Sequence, residues 1–234
     1  MTDLTNKTII VTGASQGIGA AAARHLAARG ASVFLAARNS GKLIALGRDI
    51  AERGGTAHPV TCDVSRASEV SALVADAVSM TGRLDAFINN AGIIAPIARL
   101  EDTHAETWGR AVDVNLKVVY HGIRYAASPM IAQGHGTIIN ISSGAATSAL
   151  EGWSHYCATK AAVLSLTRVA DKELRAKGVR VIGLSPGTVA TNMQLEIKAS
   201  GINPVSQLDP SVHLPPSDVA RAIAWLLGPE ADAH

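Results

Sequence analysis

The chain has 234 residues, 47% of them hydrophobic and 17% charged, with 21 basic against 19 acidic side chains and a formal net charge of +2. A chain of this size buries roughly 70–75% of the surface it would expose unfolded, so it needs no disulfide or metal staple, and collagen-like, disordered and small disulfide-scaffold classes are excluded. Balanced charge offers nucleic acid no basic face, and although the mean hydropathy is +0.20, no apolar run approaches the roughly 18–20 residues of a membrane span.

The opening MTDLTNKTII lacks the basic start, apolar segment and cleavage site of a secretory signal, so a cytoplasmic protein is expected. A strand is predicted from Lys7 to Thr12, and the turn Thr12-Gly13-Ala14-Ser15-Gln16-Gly17-Ile18-Gly19 leads from it into a helix from Gly17 to Arg29. Glycines in a strand-to-helix turn let backbone approach a pyrophosphate, whose charge the free N–H groups of the helix start then stabilise. The spacing matches neither G-x-G-x-x-G nor the phosphate loop G-x-x-x-x-G-K-[ST]. The second strand, Ser32 to Ala37, ends at Arg38, where a dinucleotide site reads the adenosine ribose. Ala37 occupies the position of an acid that would accept from the 2′-hydroxyl of NAD, and Arg38 suits the 2′-phosphate of NADP. The competing reading of Arg38 is a solvated strand-end charge.

The pattern continues with a helix from Ser40 to Arg53, a strand from Thr56 to Cys62, a helix from Ala67 to Thr81 and a strand from Ala86 to Asn89. A long helix from Thr103 to Gln133, strands from Thr137 to Ile141 and Arg180 to Leu184, and helices from Tyr156 to Lys177 and Ser217 to Leu227 complete it. The strands read as nearly continuous apolar runs, as strands covered on both faces do. The expectation is one α/β domain over residues 1–234, a doubly wound, Rossmann-like parallel sheet in three α/β/α layers, with ligands beyond the carboxyl ends of the strands. Cys62 and Cys157 lie far apart without metal-ligand spacing and are read as free, buried thiols; no metal is expected.

Tyr156 and Lys160 stand four apart on a predicted helix and so share a face. A free phenol titrates near 10, but an ammonium at roughly 4–5 Å stabilises phenolate by about 3–4 kcal/mol before desolvation is subtracted, enough to bring a tyrosine into working range. The fifth strand ends Ile141-Ser142-Ser143, which places a hydroxyl at the carboxyl edge of the sheet beside that phenol.

From about Lys7 to Leu227 the sequence resembles the short-chain dehydrogenase/reductase family. TGASQGIG, Cys62-Asp63-Val64, Asn89-Asn90-Ala91-Gly92, Asn115, Ser143, Tyr156-x-x-x-Lys160 and Pro186-Gly187 stand in that family's order and spacing. Ser143, thirteen residues before Tyr156, keeps its interval; Ser142 is the weaker candidate. The resemblance implies an oxidoreductase that moves a hydride between NADP, with NAD possible, and a secondary alcohol or ketone. Tyr156 would be the acid and base, and Lys160 would lower its pKa and hold the nicotinamide ribose. Ser143 would polarise the substrate oxygen, and Asn115 would hold a water linking Lys160 to solvent. The glycine turn, with Gly13, Ser15, Gln16, Gly17, Ile18 and Gly19, would cradle the pyrophosphate. Asp63 and Val64 would meet the adenine, and Asn90, Ala91 and Gly92 would pass beneath its ribose. Pro186, Gly187, Val189 and Thr191 would fix the nicotinamide.

Ser185 stands where relatives carry asparagine, Gln16 is neutral where many NADP-preferring relatives are basic, and a seventh strand is missing, so the native chain is expected to continue past His234. A dinucleotide-binding sensor without turnover and a sugar-nucleotide epimerase are the rival readings; the intact Asn115, Ser143, Tyr156 and Lys160 set argues against the first, and the glycine spacing and lack of a larger C-terminal region against the second. Ile94, Pro96, Ala145, Leu150, Trp153, Met193 and Leu195 are expected to wall the pocket, and Thr191 to Pro215 to form a mobile lid. Val118, Val119, Ile123, Val163, Leu164 and Leu166 add more apolar surface on the long helices than one sheet face can cover, and the resemblance implies that these helices pair across a two-fold axis, so a homo-oligomer, a dimer or tetramer with the homotetramer favoured, is expected, with a small molecule as substrate and no nucleic-acid or membrane partner.

Overall fold

The structure, a computed structural model, describes residues 2–228 and 231. Strands β1 (Thr8–Thr12), β2 (Ser32–Ala37), β3 (Thr56–Thr61), β4 (Ala86–Asn89), β5 (Gly136–Ile141) and β6 (Val179–Leu184) pair in parallel in the order β3-β2-β1-β4-β5-β6. Helices α1 (Gly17–Ala27), α2 (Ser40–Glu52) and α8 (Pro216–Leu226) cover one face; α3 (Ala67–Thr81), α5 (Val118–Gln133) and α6 (Ser154–Leu174) cover the other. Side chains alternate across a strand, so β1 sends Ile9 and Val11 into the first core and Ile10 into the second, and both cores need apolar residues. That demand produces the continuous apolar runs of the central strands, and the expected doubly wound α/β architecture is what the chain adopts.

The strand order reverses between β1 and β4, which opens a crevice at their carboxyl ends. Thr12 ties its two lips together: its hydroxyl donates to the Ile88 carbonyl at 3.1 Å and accepts from the Asn90 and Ala91 N–H groups at 3.0 and 3.2 Å. Behind this, Asn89 donates to Asn140 at 2.8 Å, and Asn140 donates to Thr167 Oγ1 at 2.9 Å, a buried polar chain that joins β4, β5 and α6. Gly122 permits it, because a Cβ there would collide with the Asn89 side chain.

Four expectations need correction. β3 is half exposed rather than buried on both faces, because it is an outer strand; Pro59, with no N–H to donate, is tolerated there. The single helix expected to Gln133 is α4 (Ala105–Val112), a π turn at Asp113–Lys117 and then α5. The proposed lid contains a regular helix, α7 (Asn192–Ser200), and is folded down: Asn203, 3% exposed, donates to the Glu151 carbonyl at 3.0 Å. Val118, Val119, Ile123 and Val163 lie in the protein's own second core, and Leu164 and Leu166 are half-buried; the exposed large apolar side chains of these helices are Tyr120, Ile131 and Val169, at 52%, 37% and 50%.

β6 is the other outer strand among the described residues, and its Val181 N–H donates to the Asp171 carboxylate at 3.0 Å. The expected continuation beyond His234 falls outside the described residues. Among those residues no helix is long and apolar enough to cross a membrane, no group of side chains is placed to hold a metal, and Cys62 and Cys157 are free, the first buried and the second half-buried.

Candidate active site

A cleft of about 930 Å³ runs along the carboxyl ends of the strands, from the glycine turn to Trp153 and Ile197. Of the site residues singled out from sequence, all line it except Gly19 and Asn115, which stand behind the wall. Gly13 has φ +64, and a Cβ on it would lie 2.9 Å from the Ala91 Cα; one on Gly19 would collide with the Gly13 carbonyl. The turn is thus pressed against both its own helix and the segment after β4, which only glycine allows.

Just past the end of β2, Arg38 is exposed and lines the cleft, its charge acting on Asp63. Sequence reasoning missed its neighbour Lys42. This residue sits in the first turn of α2, where the Asn39 side chain accepts its N–H at 3.0 Å, and its ammonium donates to Gln16 Oε1 at 3.0 Å. A charge absent from the glycine turn is thereby delivered to it from the next helix. Its one sequence signal is the spacing, four residues beyond Arg38 across a helix start. Asp63 stands below the usual carboxylate range: burial pushes it up, but the Ser65 hydroxyl and amide and the Arg38 and Arg66 charges outweigh burial.

At the other end, Tyr156 and Lys160 share a face of α6 as expected, and the Lys160 ammonium lies 5.5 Å from the centre of the Tyr156 ring. Ser143 stands two residues past the end of β5, beside them; its hydroxyl hydrogen-bonds the Tyr156 phenol and accepts the Ala145 N–H at 3.2 Å. Trp153 meets Tyr156 edge-on at 5.5 Å. Lys160, 6% exposed, donates to the Ile141 carbonyl at 2.7 Å, and burial pushes its pKa down to about 8. Burial also places the Tyr156 phenol above its ordinary value, with the Ser143 hydrogen bond pulling the other way. The expected lowering by Lys160 does not enter this balance, in which burial outweighs the Ser143 hydrogen bond.

Asn115 does not line the cleft itself. It is buried in the π turn, its Oδ1 accepting the Ile93 N–H at 2.8 Å and its amide donating to the Ile93 carbonyl at 2.9 Å. Its side chain is a clamp on the segment after β4. Of the expected pocket wall, Ile94, Ala145, Leu150, Trp153 and Met193 line the cleft. Pro96 does not, nor does Leu195, which is 69% exposed; Ile197, four residues from Met193 and so on its face of α7, lines the cleft instead.

The family model described as short chain dehydrogenase matches residues 7–200. Over 236 residues the chain is 36% identical to a 3-oxoacyl-[acyl-carrier-protein] reductase of Synechocystis sp. (strain ATCC 27184 / PCC 6803 / Kazusa), covering 100% of this chain and 94% of that protein. It is 32% identical over 229 residues to a cyclohexanol dehydrogenase of Acinetobacter sp. (strain SE19), covering 97% and 89%. A metagenomic short-chain oxidoreductase solved in complex with NADP superimposes with a TM-score of 0.82 at 34% identity, covering 97% of this chain and 92% of that one.

Proposed function

The chain belongs to the short-chain dehydrogenase/reductase family, and on that premise we propose that this oxidoreductase moves a hydride between NADP(H) and a secondary alcohol or ketone. The observation that carries the proposal is the meeting of Ser143, Tyr156 and Lys160 at one end of a cleft whose other end is a glycine turn flanked by Arg38 and Lys42.

The residues fit a nicotinamide dinucleotide. The glycine turn lines the cleft at the start of α1, where free N–H groups would meet a pyrophosphate, Arg38 and Lys42 offer cations to a 2′-phosphate, and Asp63 keeps its charge to accept from the adenine. Val64, Asn90, Ala91 and Gly92 would hold the adenosine, and Pro186, Gly187, Val189 and Thr191 the nicotinamide. When bound, the cofactor supplies or takes up the hydride, and everything else is the chain's own work.

In ketone reduction the Tyr156 O–H donates to the substrate carbonyl oxygen, and Ser143 donates a second hydrogen bond to it. A phenol held above its ordinary value keeps this proton at neutral pH, which suits reduction; alcohol oxidation needs the phenolate and gains as pH rises. Lys160, protonated below about 8, supplies positive charge next to the phenol and donors for ribose hydroxyls. Asn115 holds the floor on which these groups stand.

The direct test is NADPH consumption, followed by the absorbance of the reduced nicotinamide, with ketones, 3-oxoacyl thioesters, sugars and hydroxy amino acids as substrates. Turnover with a ketone is expected; silence across every ketone and alcohol, with both nicotinamides, overturns the reading.

Assembly is a second part of the proposal. Tyr120 on α5 and Val169 on α6 leave apolar surface on two helices that flank one sheet face, suited to a two-fold contact and a homotetramer. A monomer by light scattering at micromolar concentration would end that claim.

A further inference from the structure

The residue before Tyr156 is unaccounted for by this mechanism. His155 is fully buried, at 0% exposure, and its Nε2 lies 2.8 Å from the Ile94 carbonyl oxygen. A carbonyl only accepts, so Nε2 carries the proton and Nδ1 is a bare acceptor, and Nδ1 has no hydrogen-bond partner. Burial also holds the imidazole below the usual histidine range, which keeps it neutral. An apolar side chain would fill this place without stranding a nitrogen, so the imidazole's distinctive contribution is its one hydrogen bond.

That bond completes a pattern. Asn115 holds the N–H and the carbonyl of Ile93, and His155 holds the carbonyl of Ile94. Two side chains, one from the π turn and one from α6, thus fix three backbone groups of a dipeptide that lines the cleft. The Ile94 side chain, 1% exposed, packs in one apolar cluster with Tyr156, Trp153, Ala145 and Ile197. Its position sets how much room a substrate has next to the phenol. Adjacent residues of a helix point about 100° apart, so α6 can serve the reacting oxygen with one residue and the substrate wall with its neighbour.

We propose that His155 is a positioning residue for the substrate: by anchoring the Ile94 carbonyl it fixes the apolar wall opposite Tyr156 and so sets which ketones fit. This rests on the oxidoreductase reading. The test compares wild type, His155→Met and His155→Gln in NADPH-dependent reduction of cyclohexanone, 4-methylcyclohexanone and 4-tert-butylcyclohexanone, with NADPH affinity measured separately by fluorescence titration. Methionine fills the space without a donor, and its KM is expected to rise about tenfold, unequally across the three ketones, with kcat and NADPH affinity within about threefold of wild type. Glutamine, which still has an N–H to donate, should return KM to within about threefold of wild type.

The proposal is overturned if the methionine variant keeps wild-type KM, if glutamine is no better than methionine, or if kcat and NADPH affinity fall in step with KM. Should the methionine variant not fold, Ile94→Val decides: a shift of preference toward the bulkier ketones supports the assignment, and an unchanged preference overturns it. A wild type that reduces no ketone with either nicotinamide overturns the oxidoreductase reading and this proposal with it, whereas an active wild type beside an unaltered His155→Met overturns this proposal alone.

Discussion

Replacing Tyr156 by phenylalanine is expected to lower kcat by about 10³-fold or more while leaving NADPH affinity within about twofold of wild type. The substitution deletes one oxygen. The ring keeps its edge-on contact with Trp153 and stays near the Lys160 ammonium, so the wall and the cradle persist. What disappears is the phenol that hydrogen-bonds Ser143, and with it the proton proposed to reach the substrate oxygen. A loss of 10³ corresponds to about 4 kcal/mol of transition-state stabilisation, within the range of general acid catalysis by one well-placed group. The contrast with Lys160→Ala is informative, since that change should weaken turnover and cofactor affinity together. A Tyr156→Phe enzyme that kept most of its activity would refute the assigned role.

The second large effect concerns cofactor choice. Wild type is expected to favour NADPH over NADH by roughly 10- to 150-fold in kcat/KM, the contribution of about 1.5–3 kcal/mol that one charge-assisted hydrogen bond makes. Arg38 provides a planar, permanently charged fork, and Ala37 leaves no carboxylate to repel a phosphate. Lys42, held by Gln16, adds a second cation nearby and moves the expected preference toward the upper part of that range. The double variant Ala37→Asp, Arg38→Leu should reverse the preference, because aspartate accepts from the 2′-hydroxyl of NAD and repels the phosphate of NADP. Kinetics with both nicotinamides at fixed salt decide the matter. A wild type that uses NADH at least as well as NADPH returns Arg38 to the role of a solvated charge.

Much of this architecture is legible in the sequence because the sheet imposes its own composition. β1, β2, β4 and β5 are wedged between two helical layers, so their residues are apolar or small apart from the mutually bonded Asn89 and Asn140, and their limits fall within a residue of expectation. β3 breaks the rule because an outer strand escapes that constraint. The π turn has no such signature: its extra residue is accommodated by Asn115 reaching Ile93, a pairing across 22 positions of chain. His155 and Ile94 are 61 apart, and a lone histidine in a helix gives no hint of which carbonyl it will find. Lys42 illustrates a third limit, since a motif reads charge by position in one loop whereas the cleft is filled by whatever side chain reaches it. The catalytic spacing was readable, but its electrostatics were not. Burial of Tyr156 and Lys160 is a property of the packed cleft and reverses the shift expected for the phenol from their proximity alone.

The neck of the segment carrying α7 has a consequence of its own. Ala190 N–H donates to the Leu214 carbonyl and Leu214 N–H to the Thr188 carbonyl, each at 2.9 Å, so a single parallel bridge fastens both ends of the excursion. Drawing together the ends of a flexible loop of this length costs about 3 kcal/mol of chain entropy. Because the bridge lies outside α7 and apart from the Asn203 contact with Glu151, the ends of the excursion are joined independently of how its middle packs. Met193 and Ile197 are thereby presented to the cleft from a closed loop rather than from an open chain whose ends would have to be brought together.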